Sequence, residues 1–260
     1  MTTVTSADGT TIAYEIGGSG PTVILVDGAM CHRAGGPLRP LAARLTGSFT
    51  VVTYDRRGRN ESTDTLPYAV EREIEDLAAL IDAVGGPVHL YGISSGGALV
   101  LRATAAGLPV SRIAVYEIPF VAADNEAMAS GSYRRRLDEA LAAGRRGDAV
   151  ALFLEQVGMP APMIENMRSG PGWPAMEAIA PTLAYDDSIL GDARVPTGVT
   201  SQISIPALVA DGGASPQMLR TAAKSVAEAL PDARHVTLDG QTHDVDPDVI
   251  APVLVDFFGA

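Results

Sequence analysis

Short apolar runs alternate along this chain with stretches in which apolar residues recur every three or four positions. Residues 4–6 and 11–16 flank "ADGT", a hairpin signal. "PTVILVDG" at 21–28 is an apolar run that ends in glycine, as a buried strand does. Runs of the same kind stand at 49–55, 87–92, 111–117, 205–211 and 233–239. Between them the period lengthens. Val70, Ile74, Leu77, Ile81 and Val84 share one face of an amphipathic helix over 68–84, which Gly85 and Gly86 stop. Further helices are predicted at 37–45, 98–106, 216–230 and 247–258.

Strands alternating with helices imply a mostly parallel central sheet with helices on both faces, the α/β class. The alternation lapses between about 119 and 204. This region is rich in Ala, Met, Pro and Arg and has helical patches at 132–143, 147–157 and 173–184. The expected organisation is a core of 1–118 and 204–260, with 119–203 inserted as a helical lid over one end of the sheet.

At 260 residues, 47% of them hydrophobic, the chain can bury one sizeable core. Its formal net charge of −12 argues against nucleic acid as a partner, because no basic stripe exists to displace counterions. The arginines at 134–136 read as a solvated helix face. One cysteine, Cys31, excludes an internal disulfide and a Cys/His metal framework. The first residues read as structure rather than a leader, and no apolar run reaches the ~18 residues that span a membrane. A cytoplasmic protein acting on a small molecule, with no metal, is the expectation. Oligomeric state is not encoded in any of these patterns.

"GISSG" at 92–96 fits G-x-S-x-G between a predicted strand and a predicted helix, the context in which that motif carries meaning. In such an elbow only small residues fit two before and two after the nucleophile. Centred on Ser94 these are Gly92 and Gly96; centred on Ser95 the first would be Ile93. Ser94 is therefore the candidate nucleophile. The backbone N–H of Ser95, at the start of the helix, is a candidate oxyanion donor. A hydroxyl needs a base. His89 and His235 fall inside predicted strands and read as structural, and His32 could line a pocket. His243 lies in a loop between the last strand and the last helix, from which an imidazole can reach Ser94.

These features together resemble the α/β-hydrolase fold superfamily over nearly the full chain. The resemblance rests on "GISSGG", on "YDRRGRNES" at 54–62, on the position of the lid after the strand ending at Glu117, and on His243. It is strongest to the small serine esterase, haloperoxidase-like and haloalkane-dehalogenase-like branch. It implies a nucleophile, a histidine base, an acid and no cofactor. A serine at 94 excludes the aspartate-nucleophile chemistry of the dehalogenases and of typical epoxide hydrolases. Members usually carry His-Gly after the first long strand and take the second oxyanion donor from the next residue. Here the pair is Asp27-Gly28, and Ala29 takes that position. Asp27 either faces the pocket and opposes an oxyanion, or turns away and braces the loop by hydrogen bonds. Members often place the acid just after the strand at 205–211, but Ser215 stands there, followed by Pro216 as an N-cap and first helical residue would be. The acid is then Glu117, at a strand end some members use, or Asp211. Either charge needs a partner, and His243 can serve.

The reaction expected is hydrolysis of a small or medium apolar ester or lactone through an acyl-enzyme on Ser94. Asp27, Met30, His32, Met128, Met159, Met163 and Trp173 are the candidate lining residues, though such types more often fill cores than touch ligands. Two rivals share the fold: C–C bond hydrolysis or a cyclase-type tailoring reaction, towards which Asp27 points, and ligand reception without catalysis. The arginines of "DRRGRN" are expected to brace the strand-end loop by salt bridges rather than to bind an anion.

Overall fold

β-Branched and leucine-rich runs become the strands of a single sheet in a computed structural model that describes residues 2–121 and 131–260. They are β1 (Thr2–Thr5), β2 (Thr11–Gly18), β3 (Thr22–Val26), β4 (Thr50–Tyr54), β5 (Val88–Ile93), β6 (Val110–Tyr116), β7 (Ala207–Gly212) and β8 (Ala233–Leu238). The order across the sheet is β1-β2-β4-β3-β5-β6-β7-β8. The β1–β2 and β2–β4 pairs are antiparallel, and every later pair is parallel. The parallel strands therefore release their carboxyl ends along one edge, where loops can gather functional groups.

Alternation along each strand divides the core. Ile24 and Val26 face one side, with Val52, Leu90 and Val115. That side is covered by α2 (Val70–Val84), α3 (Ser95–Ala105) and, through Ala222, Ala223 and Val226, by α10 (Gln217–Ala229). Val23 and Leu25 face the other side, with Tyr91, Tyr116 and Ala210, beneath α1 (Leu38–Leu45) and α11 (Pro247–Gly259). The whole of β5 is buried, as expected for a central parallel strand covered on both faces.

Between β6 and β7 the described chain is helical: α4 (Ser132–Ala142), α5 (Arg146–Gln156), α6 (Ala161–Arg168), α7 (Trp173–Ile179), α8 (Leu183–Leu190) and α9 (Thr197–Thr200). Leu137, Val150, Leu154, Trp173 and Leu183 form a separate apolar cluster there, and Ala29 and Met30 of the core pack against it. The single helix expected over 173–184 is three elements. Pro181 falls where an α-helix would need its N–H, and the chain passes through a 3-10 turn at Ala180–Thr182 before resuming. Two elements had no sequence expectation, α6 and α9; in α6 a proline occupies the first turn, where its missing N–H costs nothing. Helix α3 starts three residues earlier than its apolar pattern suggested, because the elbow itself supplies the first turn.

Leu77 on α2 is 0% exposed and Met163 on α6 is 54% exposed. Leu77→Ala should lower the unfolding free energy by about 2–5 kcal/mol in urea titrations. Met163→Ala should stay within about 0.5 kcal/mol of wild type.

Candidate active site

Crowding shapes the turn between β5 and α3. A Cβ on Gly92 would lie 2.6 Å from the carbonyl oxygen of Gly96, and a Cβ on Gly96 would overlap the carbonyls of Val26 and Asp27. The small residues on either side of Ser94 let β5, α3 and the end of β3 meet here. Ser94 itself takes φ 55°, ψ −130°, a conformation that non-glycine residues rarely hold. Its N–H is fixed by the carbonyl of Tyr116, 2.9 Å away, and its own carbonyl accepts from Gly97 at 3.0 Å. The side chain is partly open, while that of Ser95 is buried. The two serines thus differ in exposure.

Glu117 follows β6 and is 0% exposed, with its backbone at φ 45°. One carboxylate oxygen, Oε2, lies 2.8 Å from His243 Nδ1; the other accepts the N–H of Gly212 at 2.8 Å. Burial pushes this carboxyl up. The bonds from His243 and Gly212, with a contribution from the nearby Ser215, more than offset it and hold Glu117 below the ordinary glutamate range. The preceding residue secures the loop that carries the imidazole, since Tyr116 donates its hydroxyl to the Thr242 carbonyl at 2.6 Å. The bond at Nδ1 leaves Nε2, on the far edge of the ring, for another partner. Among the hydrogen bonds of the described residues none joins Ser94 Oγ to His243; in catalytic sites such a contact commonly tightens only around substrate.

Asp211 is engaged elsewhere. It shares strand parity with Ala207 and Val209, so it points to the α10 side of the sheet. There it meets His235 Nε2 at 2.7 Å, the Thr237 hydroxyl at 3.0 Å and Arg220 at 3.6 Å. The capping role expected of Ser215 does not form. Pro216 precedes the first helical residue, the Ser215 hydroxyl makes no cap bond, and it stands beside Glu117 instead.

The loop after β3 carries Asp27, Gly28, Ala29 and Met30. Gly28 packs against Ser94; a Cβ there would be 3.0 Å from the serine's. Three arginines from the loop after β4, Arg56, Arg57 and Arg59, are each at most 1% exposed. They do brace the structure by ion pairs. Arg57 forks onto Asp76 and reaches Asp8; Arg56 forks onto Glu73; Arg56 and Arg59 share Asp186 of α8. Arg33, after the β3 loop, pairs with Asp55, Glu15 and Glu61. Asp186 also accepts from Ser95 Oγ at 2.7 Å, a contact that no sequence motif marks. No local signal points to it, because the chain from 55 to 76 already holds seven acidic residues near these arginines.

The candidate lining residues divide. Met30 and Met159 pack against the helical cluster, and Trp173 is buried within it, donating Nε1–H to Glu177. Met163 is exposed. His32 is half-buried over Gly35, with Nδ1 unpartnered. Met128 lies outside the described residues. No group of three or more His, Cys, Asp or Glu among the described residues is placed to hold a metal ion, and no described helix is long and apolar enough to cross a membrane.

Asp27 is buried beside Gly36, and its Oδ1 has no hydrogen-bond partner, so of the two roles open to its side chain the bracing one is not carried by that atom. The loop is braced through the main chain, where the Asp27 carbonyl accepts from Arg56. Burial pushes the carboxyl up to about 7, against the pull of Arg59 and Arg56. An acid kept neutral when folded but ionised when unfolded loses stability as pH rises from the ordinary aspartate range to about 7, and the loss then levels off. Asp27→Asn removes that slope. The variant's melting temperature should gain on wild type between pH 4 and 7, by a margin worth a few kcal/mol, and should run parallel to it above pH 8.

The chain matches the family model for the alpha/beta hydrolase family over residues 23–253. An alpha/beta hydrolase from Sphaerobacter thermophilus DSM 20745 is 54% identical, with a TM-score of 0.90 over 99% of this chain and 100% of that one. The enol-lactonase from Burkholderia xenovorans LB400 shares the fold at 23% identity, with a TM-score of 0.69 over 99% of this chain and 100% of that one. An uncharacterized hydrolase of Bacillus subtilis (strain 168), YraK, is 35% identical over 100 residues; that match spans 36% of this chain and about a third (35%) of the relative's length. With a mostly parallel eight-stranded sheet and a family match over most of its length, the chain belongs to the alpha/beta hydrolase family.

Proposed function

We propose that the protein is a serine hydrolase that cleaves small or medium apolar carboxylic esters or lactones. One observation carries the reading: His243 Nδ1 is bound at 2.8 Å to a fully buried glutamate, at the same sheet edge as a serine held in a strained elbow. A carboxylate in that position fixes the imidazole's tautomer, so that Nε2 is the basic nitrogen, and stabilises the imidazolium that follows. Ser94 Oγ attacks the carbonyl carbon while Nε2 takes its proton. The N–H groups of Ser95 and Ala29 receive the developing oxyanion. His243 returns the proton to the leaving alkoxide, and the acyl-enzyme forms. Water, deprotonated by His243, then attacks the acyl carbon and frees Ser94.

The helices between β6 and β7 act as a lid. Ala29 and Met30, on the oxyanion loop, pack against its apolar cluster, which supports an apolar substrate. Glu117 is the acid of this mechanism, because the carboxylate of Asp211 is committed to His235, Thr237 and Arg220.

A fluorophosphonate probe should modify wild-type protein once, on Ser94, as read by intact mass and peptide mapping, and should leave Ser94→Ala unmodified. Glu117→Gln should lower kcat on a p-nitrophenyl ester by about 10³-fold or more. Asp211→Asn should stay within about threefold of wild type, since it removes no interaction made in the transition state. An unmodified Ser94 in folded protein, with the probe shown to enter, would sink the serine reading and favour the cyclase or receptor alternatives. A large loss confined to Asp211→Asn would instead reassign the acid.

A further inference from the structure

We infer that Asp186, on the helix α8, is a positioning residue for both halves of the oxyanion hole, acting through Ser95 on one side and Arg59 on the other. The inference rests on the serine reading above and adds residues to it.

Each donor belongs to a planar trans peptide, whose N–H and C=O point in opposite directions. Fixing the carbonyl end therefore aims the N–H end. The peptide that carries the Ala29 N–H has the Gly28 carbonyl at its other end, and that oxygen accepts from Arg59 Nη1 at 2.5 Å. The same nitrogen binds the Cys31 carbonyl at 3.0 Å, so one guanidinium holds both ends of the short oxyanion loop. Arg56 Nη1 adds the Asp27 carbonyl at 3.2 Å. Arg59 is itself held by Asp186, whose two oxygens lie 2.9 and 2.8 Å from Nη2. Asp186 Oδ1 also accepts from Arg56 at 2.7 Å and from the Ser95 hydroxyl at 2.7 Å. That hydroxyl sits on the residue that supplies the other N–H. The peptide carrying the Ser95 N–H is held at its carbonyl end as well, by Gly97 at 3.0 Å.

A positive guanidinium on the Gly28 carbonyl also polarises the peptide and strengthens the N–H as a donor, an effect that low local dielectric enlarges. Asp186, Arg56, Arg59 and Ser95 are all at most 3% exposed, so water does not screen the chain of contacts. Arg56 and Arg59 together hold Asp186 ionised despite its burial. The carboxylate comes from the helical insertion, 91 residues from Ser95 in sequence and 127 from Arg59. The packing of that insertion on the core thus sets the aim of groups none of which it supplies directly.

Ser95→Ala isolates one arm. It keeps the N–H, removes only the hydroxyl and suits a helix start. Arg59→Lys weakens the other arm while keeping its charge, and Asp186→Asn weakens both. For each folded variant, kcat and KM for a p-nitrophenyl ester are measured with the inhibition constant of an aryl trifluoromethyl ketone. The ketone's hemiketal places an oxyanion in the hole. Loosening a donor without deleting it should lower kcat about tenfold in Ser95→Ala and at least as much in Arg59→Lys. KM should stay within about twofold, and ketone inhibition should weaken by the same factor as kcat/KM. The proposal is overturned if Ser95→Ala and Arg59→Lys keep kcat and ketone inhibition at wild-type levels, or if kcat falls while ketone inhibition does not. Should Asp186→Asn or Arg59→Lys not fold, Ser95→Ala alone decides. Wild-type protein that is inert to ester, ketone and fluorophosphonate alike marks failure of the serine reading instead.

Discussion

The tightest constraint in this molecule is the approach of α3 to the ends of β3 and β5. There is no room for a methyl group on residue 96 between the helix and the carbonyls of Val26 and Asp27, nor on residue 92 beneath the carbonyl of Gly96. Glycine at both positions lets the helix start directly beside two strand ends. That start puts Ser94 at the top of the turn, in a conformation it would not choose alone, and brings the loop carrying Gly28 against its Cβ. The positions of Ser94 and of the loop after β3 follow from one packing contact between main chains.

Electrostatics determines what surrounds that contact. Three guanidinium groups lie out of water in the loop after β4, and each would be costly if left alone. The chain answers with carboxylates from separate elements: Asp8 from the first hairpin, Glu73 and Asp76 from α2, and Asp186 from α8. Such pairs contribute little net stability compared with apolar packing of the same volume. What they contribute is geometry. A forked guanidinium on a carboxylate permits few arrangements, and these forks tie α2, α8, the β4 loop and the loop after β3 into one register. A chain with 31 acidic residues against 19 basic ones can commit buried acids to this purpose and remain strongly anionic outside.

The sheet was legible because its signals are local. A strand such as 22–26 announces itself within five residues, and the tight turn at 92–96 within its two glycines. Glu117 and Asp211 could not be separated in this way. Both end apolar strands, and what distinguishes them is the side of the sheet to which each carboxylate turns: Asp211 follows the parity of Val209 towards α10, whereas Glu117 leaves its strand through a left-handed kink and meets His243. Asp186 was invisible for a different reason. Its partners lie 91 to 130 residues away, and Pro181 interrupts the helical pattern just before it. Ser215 misled because Ser-Pro satisfies the composition of a helix start, while its neighbourhood to Glu117 exists only in three dimensions.

Asp27 brings these themes together. An anion beside the loop after β3 would oppose any negative charge developing there, and two arginines nearby favour that anion. Burial opposes them and prevails, because the carboxylate is cut off from water and one of its oxygens finds no donor. The arginines are committed elsewhere: Arg56 to Glu73, to Asp186 and to the main-chain carbonyl of Asp27, and Arg59 to Asp186 and the carbonyls of Gly28 and Cys31. The same forks that hold the loop therefore deny Asp27 a direct ion pair. A carboxylic acid placed at the end of β3 is thus kept largely neutral below about pH 7 by the arrangement that surrounds it.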